Sequence, residues 1–496
     1  MLFKRFFLVA AVAAALTGCA KRGAITGGAK DTIPPVIVSS TPENMSTGFT
    51  GKEIRINFSE YIKIKDLNKQ LIVSPPMAVA PDVTPNGNAS RYINIKIKDT
   101  LKPDTTYSFN FGQSITDNNE GNPYSQFKFV FSTGTYIDSL ALNGVIKDAY
   151  NRKPDNFVTV MLYEANEAYN DSTVYKEKPR YVTNTLDSLT QFSLENLKAG
   201  KYHIFALKDG NNNYKYDPKL DKIAFLKDPI TVPNDTLFQL ELFQEELPVK
   251  LSRPTQESSN RLLMPFEGKP KDANVTVKKG NETLKTMLTR LPQKDSLQIW
   301  LPAGLKADSL QIAARHGSQK FDYTVKIKEM KATDSLTVTA MQKGAINFRD
   351  IFTLNTSTPL TAIDTSRISI IRKDSTAVSF THLYNEMDQR LELKFDKGEN
   401  ETYRVMLLPG ALTDFYSKQN DTLKYTLTTR ALMDYGNMRV KVPNPKTFPF
   451  ILQLTDEKGD VKASFYSEKE TEINFDAIEP NQYRLRLIYD DNKNGE

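Results

Sequence analysis

Ile54-Arg55-Ile56-Asn57-Phe58, Tyr92-Ile93-Asn94-Ile95-Lys96-Ile97, Tyr107-Ser108-Phe109-Asn110-Phe111 and Phe127-Lys128-Phe129-Val130-Phe131 decide the fold. In these runs apolar and polar side chains alternate with period two. Successive side chains of a strand point to opposite faces, so each run reads as a strand with one face buried. Asn, Asp, Gly and Pro separate the runs and mark turns. Several short strands at this spacing over about 100 residues argue for an antiparallel sandwich. No long stretch shows helical period. The expected class is all-β, with tandem antiparallel β-sandwiches and a short N-terminal signal helix.

Outward from these runs, the chain has 496 residues, too many for one compact domain. It is 39% hydrophobic and 25% charged, neither disordered nor collagenous in composition. The single Cys excludes an intramolecular disulfide and a thiolate zinc cluster. The three His, at 203, 316 and 382, share no metal-ligand spacing.

Residues 34–134 resemble a known family at several points. Pro34-Pro35, Ser40-Thr41-Pro42-Glu43-Asn44 and Ile56-Asn57-Phe58-Ser59-Glu60 form the opening pattern of bacterial Ig-like domains of the S-layer type. Leu101 to Tyr107, Thr116 to Asn122 and Phe131-Ser132-Thr133-Gly134 form the closing pattern. The resemblance implies an Ig-like sandwich with Tyr107 as a buried corner residue. Such modules occur in Ig-domain lipoproteins of Bacteroidota.

Residues 136–246 are similar to prealbumin-like modules, also known as carboxypeptidase regulatory domains. Strands at Asn143-Gly144-Val145-Ile146 and Val158 to Tyr163, then Phe192 to Tyr202 leading into His203-Ile204-Phe205-Ala206-Leu207, carry that likeness. The resemblance implies a spacer or binding domain. The pair then repeats. Phe475 to Glu496 lines up with Leu194 to Lys215, placing Tyr483 on Tyr202, Asp490 on Asp209, Asn492 on Asn211 and Asn494 on Asn213. Leu412-Thr413-Asp414 and Leu423 to Thr429 echo Ile115-Thr116-Asp117 and Phe127 to Thr133. Residues 247–344 read as a further β-sandwich, 345–431 as a divergent Ig-like domain and 436–496 as a second prealbumin-like one.

The N-terminus is an address. Lys4 and Arg5 precede an apolar run from Phe6 to Leu16, too short to span a bilayer as a helix. Leu16-Thr17-Gly18-Cys19 looks like the bacterial lipobox, so residues 1–18 read as a lipoprotein signal peptide and Cys19 as the acylated residue. Palmitate and other lipid chains there would anchor the body, at about 0.8 kcal/mol per buried CH₂. Ala20 follows, not the Asp that in many bacteria retains lipoproteins in the inner membrane, so the outer membrane is expected. Residues 19–33 read as a flexible tether. Two of the 65 Lys and Arg lie in residues 1–18 and no acid does, so cleavage lowers the net charge from +6 to +4. That balance is not a nucleic-acid footprint.

Candidate chemistry is sparse. Asp209, Asn211, Asn213, Asp217 and Asp221, with the backbone carbonyl of Lys215, place oxygen donors at one, three, five, seven and nine of a loop after a strand. That set suits a hard cation such as Ca²⁺. Tyr214 stands at position six, where a Gly usually allows the sharp turn, and Asp221 lies one place later than the EF-hand twelfth position. The alternative is a polar Asx-rich turn without metal. Asp-Ser/Thr-Leu recurs, with hydroxyls at Thr100, Ser139, Ser188, Thr236, Ser296, Ser309, Ser335 and Thr422, and a variant at Thr32. Turn formation before a strand accounts for the pattern. The pattern also matches the O-glycosylation sequon of Bacteroidota, which makes these hydroxyls candidate sugar acceptors.

No His-Glu-x-x-His, Gly-x-Ser-x-Gly or catalytic Cys is present, and no catalytic residue is expected. The expected function is that of a non-catalytic, lipid-anchored envelope protein, a scaffold or docking surface for other outer-membrane proteins. The alternative is a glycan-binding or adhesive lipoprotein with an aromatic platform drawn from Tyr136, Tyr214, Tyr216 and Trp300, against the reading that aromatics, at 10% in an all-β chain, are mostly core. The chain ends at Asp490 to Glu496, inside the loop that in the first copy precedes runs at 222–226 and 236–243. The last module is therefore expected to be truncated and to show an unpaired edge.

Overall fold

The computed structural model describes residues 31–186 and 189–495. Residues 1–18, Cys19, the tether up to residue 30 and Ser188 lie outside the described residues. Strand takes 47% of the described residues and helix 3%, so the class is all-β. Among the described residues, no helix is long and apolar enough to cross a membrane. The chain divides into two units, Met1–Glu245 and Glu246–Glu496.

The first unit begins with an Ig-like sandwich. One sheet runs Ile37–Thr41, Glu53–Ile64, Ser90–Lys96, Asp82–Thr84, with Ile115–Asp117 also paired to Glu53–Ile64. The other runs Ile72–Ser74, Thr106–Asn110, Lys128–Ser132. The alternation in sequence becomes burial: Ile54, Ile56, Ile93, Ile95, Phe109, Phe129 and Phe131 are fully enclosed between the sheets. Phe131 stacks with Tyr107 at 5.4 Å and meets Phe49 at 4.3 Å. Each such ring contributes roughly 1.5–3 kcal/mol by leaving water. Tyr107 is the corner residue expected of it: its buried hydroxyl accepts from the Lys102 N–H at 2.9 Å.

The next sandwich in this unit pairs Leu140–Asp148 antiparallel with Gln191–Leu197 and parallel with Phe238–Leu242. Facing it is a sheet ordered Tyr181–Asn184, Thr159–Glu164, Gly200–Lys208, Lys222–Phe225, with Ile230–Val232 also on Gly200–Lys208. Gly144 is required by close approach, because a Cβ there would lie 2.2 Å from the Phe192 ring. Val158 to Tyr163 is buried on both faces, which explains an apolar run without alternation. One face packs on Leu142, Phe192 and Leu240. The other carries Met161, Tyr163, Phe205 and Leu207 beneath Val174 and Tyr216, with Ile72 of the Ig-like sandwich joining that cluster.

In the second unit, Arg261–Glu267, Ser296–Trp300 and their neighbours face a sheet of Asn274–Lys279, Ser309–His316 and Gln319–Lys326 around Leu262, Leu297, Ile299 and Ile312. Next, a sheet of Val338–Ala340, Phe352–Thr356, Arg390–Phe395 and Phe380–Asn385 faces one of Gly344–Ala345, Leu423–Thr428, Thr402–Leu407 and Ile368–Arg372. Last, Gly436–Lys441 with Glu472–Ile478 faces Val461–Ser467, Phe450–Thr455 and Arg484–Tyr489.

The internal repeat is visible in individual hydrogen bonds. Tyr403 accepts from Gly398 N–H at 2.6 Å, as Tyr107 does from Lys102. The Thr429 hydroxyl donates to Gly398 O at 2.6 Å, as Thr133 does to Lys102 O at 2.7 Å. Tyr483 donates to Glu479 O at 2.6 Å, as Tyr202 does to Lys198 O at 3.0 Å. Among the described residues, Arg484–Tyr489 pairs with Phe450–Thr455, and its counterpart Gly200–Lys208 pairs with Thr159–Glu164, Lys222–Phe225 and Ile230–Val232.

Candidate functional site

The loop that leaves strand Gly200–Lys208 holds the predicted oxygen donors, and their hydrogen bonds define its shape. Asp209 is buried; its Oδ1 accepts from Asn211 N–H at 3.1 Å and its Oδ2 from Tyr214 N–H at 2.7 Å. Asn213 Oδ1 accepts from Lys215 N–H at 2.7 Å, and Asp217 Oδ1 from Lys219 N–H at 3.0 Å. Asp221 is fully enclosed and closes the loop, accepting from Gly210 N–H and Asp217 N–H, both at 2.8 Å. Burial pushes the Asp221 carboxyl up, and the charges of Asp209 and Asp217 add to this against the two N–H donors.

Asn212 and Tyr214 take left-handed backbone, with φ of 51° and 59°. Tyr214 thus makes at position six the turn that a Gly would make more easily. The second copy shows the same loop. Lys493 and Gly495 are left-handed at 56° and 76°, and Asp490 Oδ2 accepts from Gly495 N–H at 2.9 Å. The Asp209 and Asp490 carboxylates therefore each hold the N–H five residues on.

Among the described residues, no three His, Cys, Asp or Glu side chains stand where they could hold one metal ion. The carboxylates brought together are Asp209, Asp217 and Asp221, and their oxygens already accept N–H groups.

The hydroxyls of the recurring Asp-Ser/Thr-Leu pattern lie before or at the start of strands. Thr32, Thr100, Ser139, Thr236, Ser309, Ser335 and Thr422 are exposed, and Ser296 is half-buried. The candidate aromatics separate. Trp300 is enclosed, its Nε1 donating to Thr289 Oγ1 at 2.9 Å, because an indole buried in a core needs one acceptor. Tyr216 is also buried, donating to Glu245 Oε2 at 3.0 Å. Neither offers a platform. Tyr136 is exposed, and Tyr214 is half-buried.

Tyr214 lines a cleft of about 490 Å³ that the sequence did not announce. Leu67, Leu71 and Met77 of the Ig-like sandwich line it together with Asn212 and Asn213. Lys178 reaches across it, donating to Met77 O at 2.6 Å. The lining comes from segments more than 100 residues apart, so only folding assembles it. Of its lining residues, the sequence had singled out Asn213 and Tyr214.

No curated protein is similar to the chain at a significant level. Among solved structures, the chain is similar to the S-layer protein rSbsC, at 10% identity and a TM-score of 0.18, covering 94% of this chain and 68% of that one. It is similar to the BSP domain of a biofilm-associated protein at 8% identity and 0.15, covering 82% and 99%. Drosophila OTK extracellular domains 3–5 follow at 12% and 0.16, covering 59% and 93%. None of these likenesses bears on function. With its facing sheets and Tyr107 corner in place, residues 31–133 match the family model described as bacterial Ig-like domain.

Proposed function

We propose that this protein is a non-catalytic, lipid-anchored protein of the outer membrane of Bacteroidota, in which β-sandwich modules serve as a scaffold or docking surface. The supporting observation is that neighbouring sandwiches within each unit are tied by direct bonds. In the first unit Val182 N–H donates to Ser74 Oγ at 3.1 Å, and Lys128 pairs with Glu195 at 2.8 Å. In the second, Tyr416 hydroxyl donates to Asn260 O at 3.1 Å, and Gln298 Nε2 to a buried Gln389 Oε1 at 3.1 Å. Polar contacts that bridge two sandwiches favour one relative geometry of the pair over others. Modules so joined present their surfaces at fixed spacing, which is what a scaffold requires.

The experiment has two parts. Palmitate labelling of cells expressing the protein is expected to mark the wild type and to vanish in Cys19→Ser, with the variant released from the membrane fraction; labelling of the variant sinks the anchor. Pull-down from solubilised outer membrane is expected to return a stoichiometric membrane-protein partner, and its absence counts against docking.

A second reading, a glycan-binding lipoprotein, is favoured by the cleft lined by the Tyr214 ring and the Asn212 and Asn213 carboxamides, groups that suit a sugar. Retention on polysaccharide, lost in Tyr214→Ala, supports it. Two further proposals attach to particular residues. The Asp209 loop takes Ca²⁺ through Asp209, Asn211, Asn213, Lys215, Asp217 and Asp221. The exposed hydroxyls carry O-linked sugar, and intact mass spectrometry of native protein with unmodified Thr100, Ser139 and Thr236 counts against it.

A further inference from the structure

The two Ig-like sandwiches differ at one sheet edge. In the first, strand Lys128–Ser132 pairs with Thr106–Asn110 and turns the backbone groups of Lys128, Val130 and Ser132 the other way. Segment 44–49 covers that edge. Asn44 Nδ2 donates to Lys128 O at 3.2 Å, and Asn44 Oδ1 accepts from Val130 N–H at 2.8 Å. Met45 N–H donates to Val130 O at 2.7 Å, and Ser132 N–H to Ser46 O at 2.9 Å.

The corresponding strand of the second copy is Leu423–Thr428, paired with Thr402–Leu407. Thr429 N–H donates to Glu401 O at 3.0 Å, which fixes the alternation: Leu427 and Tyr425 face Thr402–Leu407, while Lys424, Thr426 and Thr428 face away. The short parallel strand Gly344–Ala345 covers this edge only at Leu427 and Thr428. Among the described residues, no counterpart of the Asn44 side chain covers the rest. Gln342 turns instead to its own sheet, donating to Ile351 O at 3.0 Å and accepting from Thr353 N–H at 2.9 Å. Among the described residues, the N–H and C=O of Lys424 and the N–H of Thr426 have no hydrogen-bond partner.

The facing edge is open as well. Val338–Ala340 pairs with Phe352–Thr356 through Thr339, because Met341 N–H donates to Thr353 O and Ser357 N–H to Thr337 O. Val338 and Ala340 therefore turn their backbone groups outward. Between the two edges lies a groove of about 400 Å³. Val338 and Ala340 supply apolar side chains to it, and Lys343 and Lys424 supply positive charge with no acid among the lining residues.

We propose that this groove is a strand-addition site that takes an extended segment of another protein, with small apolar and acidic side chains alternating. Open N–H and C=O rows are a template for an added strand, whose main chain supplies affinity and whose alternate side chains supply choice. The apolar side chains would face Val338 and Ala340, and the acidic ones Lys343 and Lys424. The proposal rests on the docking reading and names the edge that performs it.

The test uses the full chain and a fluorescent peptide of alternating Glu and Val, with alternating Lys and Val as control. The wild type is expected to bind the acidic peptide at least tenfold tighter than the basic one. Lys343→Glu with Lys424→Glu, both on exposed side chains, should reverse that preference. Thr426→Pro removes one N–H that faces the groove and leaves the Thr402–Leu407 ladder intact, so it should weaken binding tenfold while the melting curve holds. Absence of acidic-peptide binding to the wild type, or equal binding to both variants, overturns the proposal. A membrane-protein partner still captured by the charge-reversed variant overturns this edge and leaves docking standing; no partner for the wild type overturns docking itself.

Discussion

Tyr107 and Tyr403 show how much a single polar atom does in these sandwiches. Each hydroxyl accepts a backbone N–H five residues back, and each ring is buried. Tyr→Phe at either position keeps the ring and orphans the N–H. The expected loss is about 1–2 kcal/mol in urea unfolding, the scale of one buried hydrogen bond. Asp148 makes a different case. Burial opposes its charge, but the Lys222 ammonium at 2.7 Å and the N–H groups of Asn151 and Tyr150 together hold its carboxyl below the ordinary carboxylate value. A folded value below the unfolded one means stability fully present above the unfolded value and lost as pH falls through the folded one. Acid unfolding followed by circular dichroism should therefore shift to lower sensitivity in Asp148→Asn, with a flatter curve below about pH 4. A variant curve as steep as the wild type would remove Asp148 from that account. Tyr107 was legible as a corner residue from the Leu101 to Tyr107 pattern, whereas nothing near Asp148 in sequence announced Lys222, 74 residues away.

At the scale of elements, strands were legible where one face is buried and less so where both are. Glu53–Ile64 alternates in sequence and in burial. Thr159–Glu164 is apolar on both sides because loop segments and Ile72 cover its outer face, and that cover comes from tertiary packing. The Asp209 loop was legible as a repeated Asp-x-Asn-x-Asn string, and its copies share left-handed positions four and six. Asp209→Ala strands two N–H groups and should cost about 1–3 kcal/mol, read as a drop in melting temperature. If the loop takes Ca²⁺, millimolar metal should raise the melting temperature of the wild type and not of Asp209→Ala, following RT ln(1 + [L]/Kd). Identical melts with metal and with chelator would leave the loop as a turn. Trp300 was offered both as a platform and as core, and it is core; a lone Trp in a strand carries no mark of which face it takes.

For the whole molecule, the first unit holds three apolar clusters built from its own side chains. A protein of residues 31–245 should accordingly fold by itself, with cooperative unfolding and dispersed amide resonances. Collapse into a state with poor dispersion would mean that the second unit supplies part of its stability. What the sequence determined alone is local: period-two runs, turn residues between them, the repeat of paired modules, and the lipobox-like Leu16 to Cys19. These depend on neighbours along the chain, so they can be read from order. The cleft beside Tyr214, the joined sandwiches and the open edge at Lys424 to Thr426 were decided only by tertiary structure. They depend on which distant segment covers a given face or edge, and one side chain, Asn44 in the first copy and Gln342 in the second, is enough to change the outcome.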